Sequence, residues 1–157
     1  MVKLYALPLR YEGNLEGFTF ESIEEYSIKI RHAERFKDEG LDVTLSFTEG
    51  EAIDREVFEA FEVNQHSIED YFEFVKGTTF ADKIKFIIGV KGLSYDVYDY
   101  KNVHQWPIDI HDFALLEDFA YDMIETGVFG KVSLELEDYI DYQKLAQTLE
   151  QRYSQMV

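Results

Sequence analysis

Val43, Leu45 and Phe47 alternate with polar residues, as the inner face of a half-buried strand does. Elsewhere apolar residues recur every three or four positions, the spacing of a helix with one buried face. Lys3 to Leu9 reads as a first strand and Phe18 to Phe20 as a short second one. Tyr11 to Gly17, with Gly13, Asn14 and Gly17, reads as the turn between them. Ser22 opens a helix with a capping box, because Glu25 follows three residues later. Ile23, Tyr26, Ile30 and Ala33 form its apolar face, and Gly40 is its expected stop. Val57 to Val63 reads as a further strand.

The remainder reads as mainly helical. Ser67 is placed to cap a helix running to about Lys76 through Ile68, Tyr71, Phe72 and Val75. Thr79 is placed to cap the next, which carries Phe80, Ile84, Ile87 and Ile88 and precedes Gly92. Tyr95 to Tyr100 fits a short helix or a strand. Trp106-Pro107 predicts an extended piece, since a residue before proline avoids the α region. A helix over about 112–126 carries Phe113, Leu116, Phe119, Ala120, Met123 and Ile124, with Gly127 supplying its left-handed end. Asp141 caps a last helix over about 142–154 through Leu145, Ala146, Leu149 and Tyr153. The expected class is α+β: a small N-terminal antiparallel sheet with one helix, then mainly helical units. The expected units are 1–64, 65–108 and 109–157.

Charge changes this picture more than composition does. The chain has 32 Asp and Glu against 15 Lys and Arg, a net charge of -17. From Glu49 to Val75 there are nine acids and one base, Arg55. From Lys76 to Ile108 five Lys outnumber three Asp, and from Asp109 to Asp141 ten acids face Lys131 alone. Aromatic residues make up 16% of the chain, too many for a disordered acidic tail. The charge is therefore carried on a folded body. Such a body repels nucleic acid and anionic membrane, and its natural partners are basic. The absence of Cys excludes disulfides, thiolate metal sites and Cys nucleophiles. No apolar run is long enough for a membrane span and no signal peptide is apparent, which predicts a cytoplasmic protein.

Little points to catalysis. His104, Asp109, His111 and Asp112 cluster in sequence but lack zinc-type spacing, and polar or capping roles explain them better. Neither a nucleophile elbow nor a Gly-rich phosphate loop occurs. No cofactor and no enzymatic activity are expected. The acids themselves are better ordered. Asp118, Asp122 and Glu125 recur at i, i+4 and i+7 on one helix face, about 6 Å apart per four-residue step. Glu56, Glu59 and Glu62 recur every third residue, and Glu69 and Glu73 form another i, i+4 pair. A line of carboxylates on a rigid element presents a sparser version of a duplex phosphate backbone. A solvated helix face is the plain alternative for any single row.

Residues 119–150 read FAYDMIETGVFGKVSLELEDYIDYQKLAQTLE. An amphipathic helix is followed by E-x-G-x-x-G (Glu125, Gly127, Gly130), a spacer, Tyr139-Ile140-Asp141-Tyr142 and a last helix. This arrangement resembles the C-terminal signature of the ArdA-type antirestriction proteins. Tyr11-Glu12-Gly13-Asn14-Leu15-Glu16-Gly17 looks like the opening turn of the same family, with Phe18 near the position of an expected Trp. The two patches cover about a quarter of the chain. The resemblance implies an elongated body of three small units that forms a homodimer. It also implies surface acids that imitate bent duplex DNA and block the DNA-binding groove of type I restriction–modification enzymes. The partner is then the methyltransferase core, with no direct nucleic-acid binding and no membrane. The implied acidic surface comprises Glu56, Glu59, Glu62, Glu69, Asp70, Glu73, Asp112, Glu117, Asp118, Asp122, Glu125, Glu135, Glu137 and Asp138. Gly127, Gly130, Tyr139, Asp141 and Tyr142 carry the signature.

The alternative is an acidic immunity or regulatory protein that binds a basic toxin or another DNA-binding protein. A metal-dependent enzyme built on residues 104–112 ranks last. The near-neutral segment 76–108 interrupts the acidic surface, and the sequence assigns it no role beyond packing or association.

Overall fold

Leu4 and Ala6 are fully buried on β1 (Lys3–Leu9), the central strand of a three-stranded antiparallel sheet, between β2 (Phe18–Phe20) and β3 (Asp42–Glu49). The computed structural model describes residues 1–9, 16–34 and 42–152. In β2, Phe20 stands opposite Leu4 and Phe18 opposite Ala6. In β3, Phe47 stands opposite Leu4 and Leu45 opposite Ala6. The alternation at Val43, Leu45 and Phe47 thus aligns with the alternation of β1, and one sheet face is apolar. Tyr11 to Leu15, Gly40 and Tyr153 lie outside the described residues.

Helix α1 (Ile23–Glu34) begins as its sequence predicts. The Ser22 hydroxyl accepts the Glu25 N–H at 3.1 Å. The return bond differs by one residue: the Glu25 carboxylate accepts the N–H of Glu21, at 2.9 Å, rather than that of Ser22. Lys29 Nζ lies 2.7 Å from Glu25 Oε1 and also donates to the Thr19 carbonyl, tying α1 to β2.

The expected strand over Val57 to Val63 is a helix, α2 (Ala52–Phe61). Asp54, Val57, Ala60 and Phe61 are its buried positions. That spacing is helical once Ile53 and Asp54 are read together with the segment. The valines and phenylalanines of the segment favour a strand, while the Glu and Ala among them are good helix formers. α2 ends in a left-handed residue, Glu62 (φ 51°, ψ 50°), whose N–H donates to Glu59 O while the Val63 N–H donates to Phe58 O. These are the two bonds of a Schellman end.

Ser67 precedes α3 (Ile68–Gly77) but does not cap it with its side chain. Its hydroxyl accepts the Asn64 N–H at 2.9 Å and so closes the preceding turn. Thr79 does cap α4 (Phe80–Ile87), accepting the Asp82 N–H at 3.2 Å. α4 runs into a π turn, Ile88–Gly92, and Tyr95 donates its N–H to Gly89 O at 2.9 Å. Val97–Gln105 is a kinked 3₁₀ helix, and Trp106 is extended as expected before Pro107.

Met1–Ile108 forms one compact unit and Asp109–Val157 a second. The stretches 1–64 and 65–108, expected as separate units, contribute to one continuous core. Leu4, Phe20 and Val57 from the first pack with Tyr71, Phe74, Phe86 and Trp106 from the second. Aromatic contacts knit it: Phe61 stacks on Phe86 with ring centroids 4.9 Å apart, and Phe20 meets Phe72 edge-on at 6.0 Å. Pairs of this kind contribute about 0.5–1.5 kcal/mol each beyond the area they bury.

The second unit holds α5 (Leu116–Glu125), a short α6 (Leu134–Glu137) and α7 (Tyr142–Arg152). Phe119, Ala120 and Met123 of α5 pack on Ala146 and Leu149 of α7. α5 starts four residues later than the expected 112. Phe113 and His111 both fold back against the Phe119 ring, at 5.3 and 4.8 Å, and Leu115 is extended, so the chain turns before the helix begins. α6 has no counterpart in the sequence reading, and none of its residues is buried. The capping of α7 is as expected: Lys144 donates its N–H to Asp141 Oδ1 at 3.1 Å. Among the described residues no helix is long and apolar enough to cross a membrane.

Candidate functional site

Most acids of the first block sit on α2, α3 and the turn after α2, with Glu49 at the end of β3 and Glu51 at the N-cap of α2, and several are already partnered. Glu56 and Glu59 lie on the exposed face of α2. Lys91, from the π turn, reaches both: its Nζ is 3.1 Å from Glu56 and 3.5 Å from Glu59. The hydrogen bond that Lys91 donates to Glu56 is the main cause of a Lys91 pKa above its ordinary value. Asp70 and Glu73 of α3 converge on the Tyr100 hydroxyl, which donates to Asp70 Oδ1 at 2.7 Å and lies 3.4 Å from Glu73 Oε2. Burial first, and then the Asp70 hydrogen bond, holds that phenol above the usual tyrosine range. Lys101 lies 4.0 Å from Glu73. Glu62 and Glu69 are exposed and in no ion pair among the described residues.

Below this surface Lys83 Nζ contacts Asp54 Oδ1 at 2.7 Å, with both side chains almost wholly buried. The Tyr71 hydroxyl donates to the Asp54 carbonyl at 2.8 Å, and burial followed by the Asp54 charge pushes its ionisation well above the usual range. Lys83, Lys91, Tyr100 and Lys101 all come from residues 76–108. The near-neutral segment is therefore the internal counter-charge of the first acidic block. No sequence signal marks this, because each pair is separated by 27 to 35 residues.

The second block is different. The second unit carries eleven acids against Lys131, Lys144 and Arg152. Asp112 is exposed on the segment leading into α5, not on the helix. Glu117 and Asp118 occupy the first turn of α5, where the helix dipole favours them. Asp118, Asp122 and Glu125 fall on one face of that helix, Asp122 half-buried and the other two exposed. Glu125 lies beside Tyr121, and its charge is the main cause of a raised Tyr121 pKa. Glu135 and Glu137 lie on α6 and Asp138 just after it. Among the described residues none of these eight carboxylates is in an ion pair. Asp141 differs: it is engaged as the α7 cap and lies 4.0 Å from Lys144.

The signature residues have local structural roles. Gly127 (φ 75°) ends α5 with the same two bonds as the end of α2, from the Gly127 N–H to Ile124 O and from Val128 to Met123 O. Gly130 (φ 95°) continues the turn. Tyr142 lies against the Tyr121 ring at 5.4 Å, whereas Tyr139 is 83% exposed. Leu134 is also 83% exposed, and Val128, Phe129 and Leu136 add to the apolar surface of this unit.

His104 accepts a bond from Lys85 through its backbone carbonyl, and the His111 ring packs on Phe119. Among the described residues no group of three or more His, Cys, Asp or Glu could hold a metal ion. Comparison with protein-family models, with curated proteins and with solved structures returned no match.

Proposed function

We propose that this protein is a non-enzymatic antirestriction protein. Its surface carboxylates stand in for duplex phosphates and occupy the DNA-binding groove of a type I restriction–modification enzyme, as the resemblance to the ArdA type implies. The observation that carries this reading is the run of carboxylates on the second unit that are in no ion pair among the described residues, with Asp118, Asp122 and Glu125 on one face of α5. A groove lined by Lys and Arg to neutralise phosphates is complementary to such a surface. Phosphates position a DNA-binding protein while base edges specify sequence, so a phosphate mimic acts on enzymes of different sequence preference. The exposed Leu134, Leu136 and Tyr139 support a homodimer, since apolar surface of this kind is commonly covered by a partner.

The test is binding to the methyltransferase core of a type I enzyme in competition with duplex DNA across a salt series. The expected result is mutual exclusion with DNA and affinity that falls steeply as salt rises. Binding that persists undiminished beside excess duplex overturns the reading. Recovery of a small basic toxin from host lysate, without restriction subunits, transfers the acidic surface to the immunity-protein alternative.

A further inference from the structure

The second unit carries a groove of about 370 Å³ where the start of α5 meets α7. Leu115, Leu116 and Ala146 supply its apolar surface, and Leu115 is 62% exposed. Glu117 and Glu150 bring one carboxylate from each helix, both exposed and neither in an ion pair among the described residues. Gln147 adds an amide able to donate and accept. Leu115 stands at the N-cap of α5 and provides no side-chain acceptor, so the leading N–H groups of that helix have no capping side chain.

The geometry points to a docking groove for a basic segment of a protein partner, one with an apolar side chain flanked by Lys or Arg. The apolar side chain covers Leu115, Leu116 and Ala146. The flanking cations meet Glu117 and Glu150, and a backbone carbonyl of the segment accepts from the uncapped start of α5. Charge complementarity selects this occupant. An acidic segment would meet two carboxylates on a unit of eleven acids and three bases. A purely cationic strand, or one with only polar side chains, would leave the leucine surface in water. This inference does not rest on phosphate imitation, which needs no apolar contact.

The probe is a synthetic 14-residue peptide of alternating Leu and Lys pairs, titrated into the full-length ¹⁵N-labelled protein at physiological salt. An all-Lys peptide of the same charge is the control. The expected result is that amide shifts centre on residues 115–117 and 143–150 and that the all-Lys peptide binds more weakly. Glu117→Gln with Glu150→Gln weakens the Leu–Lys peptide by about fivefold, the scale of two exposed ion pairs. Leu115→Ser weakens it as well. Glu24→Gln, on the other unit, leaves it unchanged. All these positions are exposed, so the variants fold. Equal binding of the all-Lys peptide, shifts centred elsewhere, or indifference to the Glu117/Glu150 changes overturns the proposal. No restriction enzyme enters the titration, so its outcome is independent of the antirestriction test.

Discussion

Lys91 Nζ lies 3.1 Å from the Glu56 carboxylate and 3.5 Å from that of Glu59, so one lysine of the near-neutral segment serves two acids of α2. Lys91 is 41% exposed, and exposed pairs contribute little to stability. Lys91→Ala is therefore expected to change unfolding free energy by less than about 1 kcal/mol while releasing two carboxylates to the surface. Later elution from an anion exchanger, with an unchanged urea midpoint, checks both halves. The raised Lys91 pKa sets the pH window. Its contribution is present below the unfolded value of 10.5 and is lost as pH rises through the higher folded value.

The Lys83–Asp54 pair is the opposite case, since both partners are buried. Removing one leaves an unpaired charge inside the protein. Lys83→Met is expected to destabilise by about 3–5 kcal/mol, and Lys83→Met with Asp54→Leu to restore much of that loss. Urea unfolding of the two variants and the parent measures the coupling.

Glu62 and Gly127 occupy the same left-handed position at the ends of α2 and α5. A residue with a Cβ costs about 1–2 kcal/mol there. Glu62→Gly is expected to stabilise the protein by about 1 kcal/mol, and Gly127→Ala to destabilise it by a similar amount. Thermal unfolding of each variant distinguishes these opposite signs.

A Cβ on Gly89 would lie 2.5 Å from Cζ3 of Trp106, the only tryptophan of the chain. Trp106 is held by its indole bond to Asp99 at 3.0 Å and by Phe86 and Tyr95. Gly89→Ala is expected to cost about 1–3 kcal/mol through overpacking. Because the protein has a single indole, a changed tryptophan emission reports the displacement directly.

On α5 the carboxylate row bears on binding more than on stability. Like charges at i, i+4 destabilise a helix by a few tenths of a kcal/mol, while Asp118 in the first turn gains a similar amount from the helix dipole. Neutralising Asp118, Asp122 and Glu125 together, by Asn and Gln, is expected to leave stability within about 0.5 kcal/mol of the parent. The same triple variant is expected to weaken binding to the basic partner by about tenfold or more, while each single variant changes it by less than about threefold. Loss of binding together with loss of stability would assign the row a structural role instead.

Where a local pattern suffices, short-range residue order sets the structure. The three strands, the Ser22, Thr79 and Asp141 caps and the left-handed end at Gly127 depend on residues within a few positions of one another. The strand expected at Val57 to Val63 became a helix because its apolar residues fit both periods. Burial of Asp54, Val57 and Phe61 against α3 and α4 decided between them. α5 began after residue 115 because Phe113 and His111 pack back on Phe119, a contact that helix periodicity does not encode. The acids were all visible in the chain, but their electrostatic state was not. Tertiary contacts spanning some thirty residues partner much of the first block with Lys83, Lys91, Tyr100 and Lys101, whereas among the described residues Asp141 alone of the second block is in an ion pair, with nearby Lys144. Coulombic interaction falls with distance in space rather than in sequence, so only the fold decides which carboxylates remain free to meet a partner.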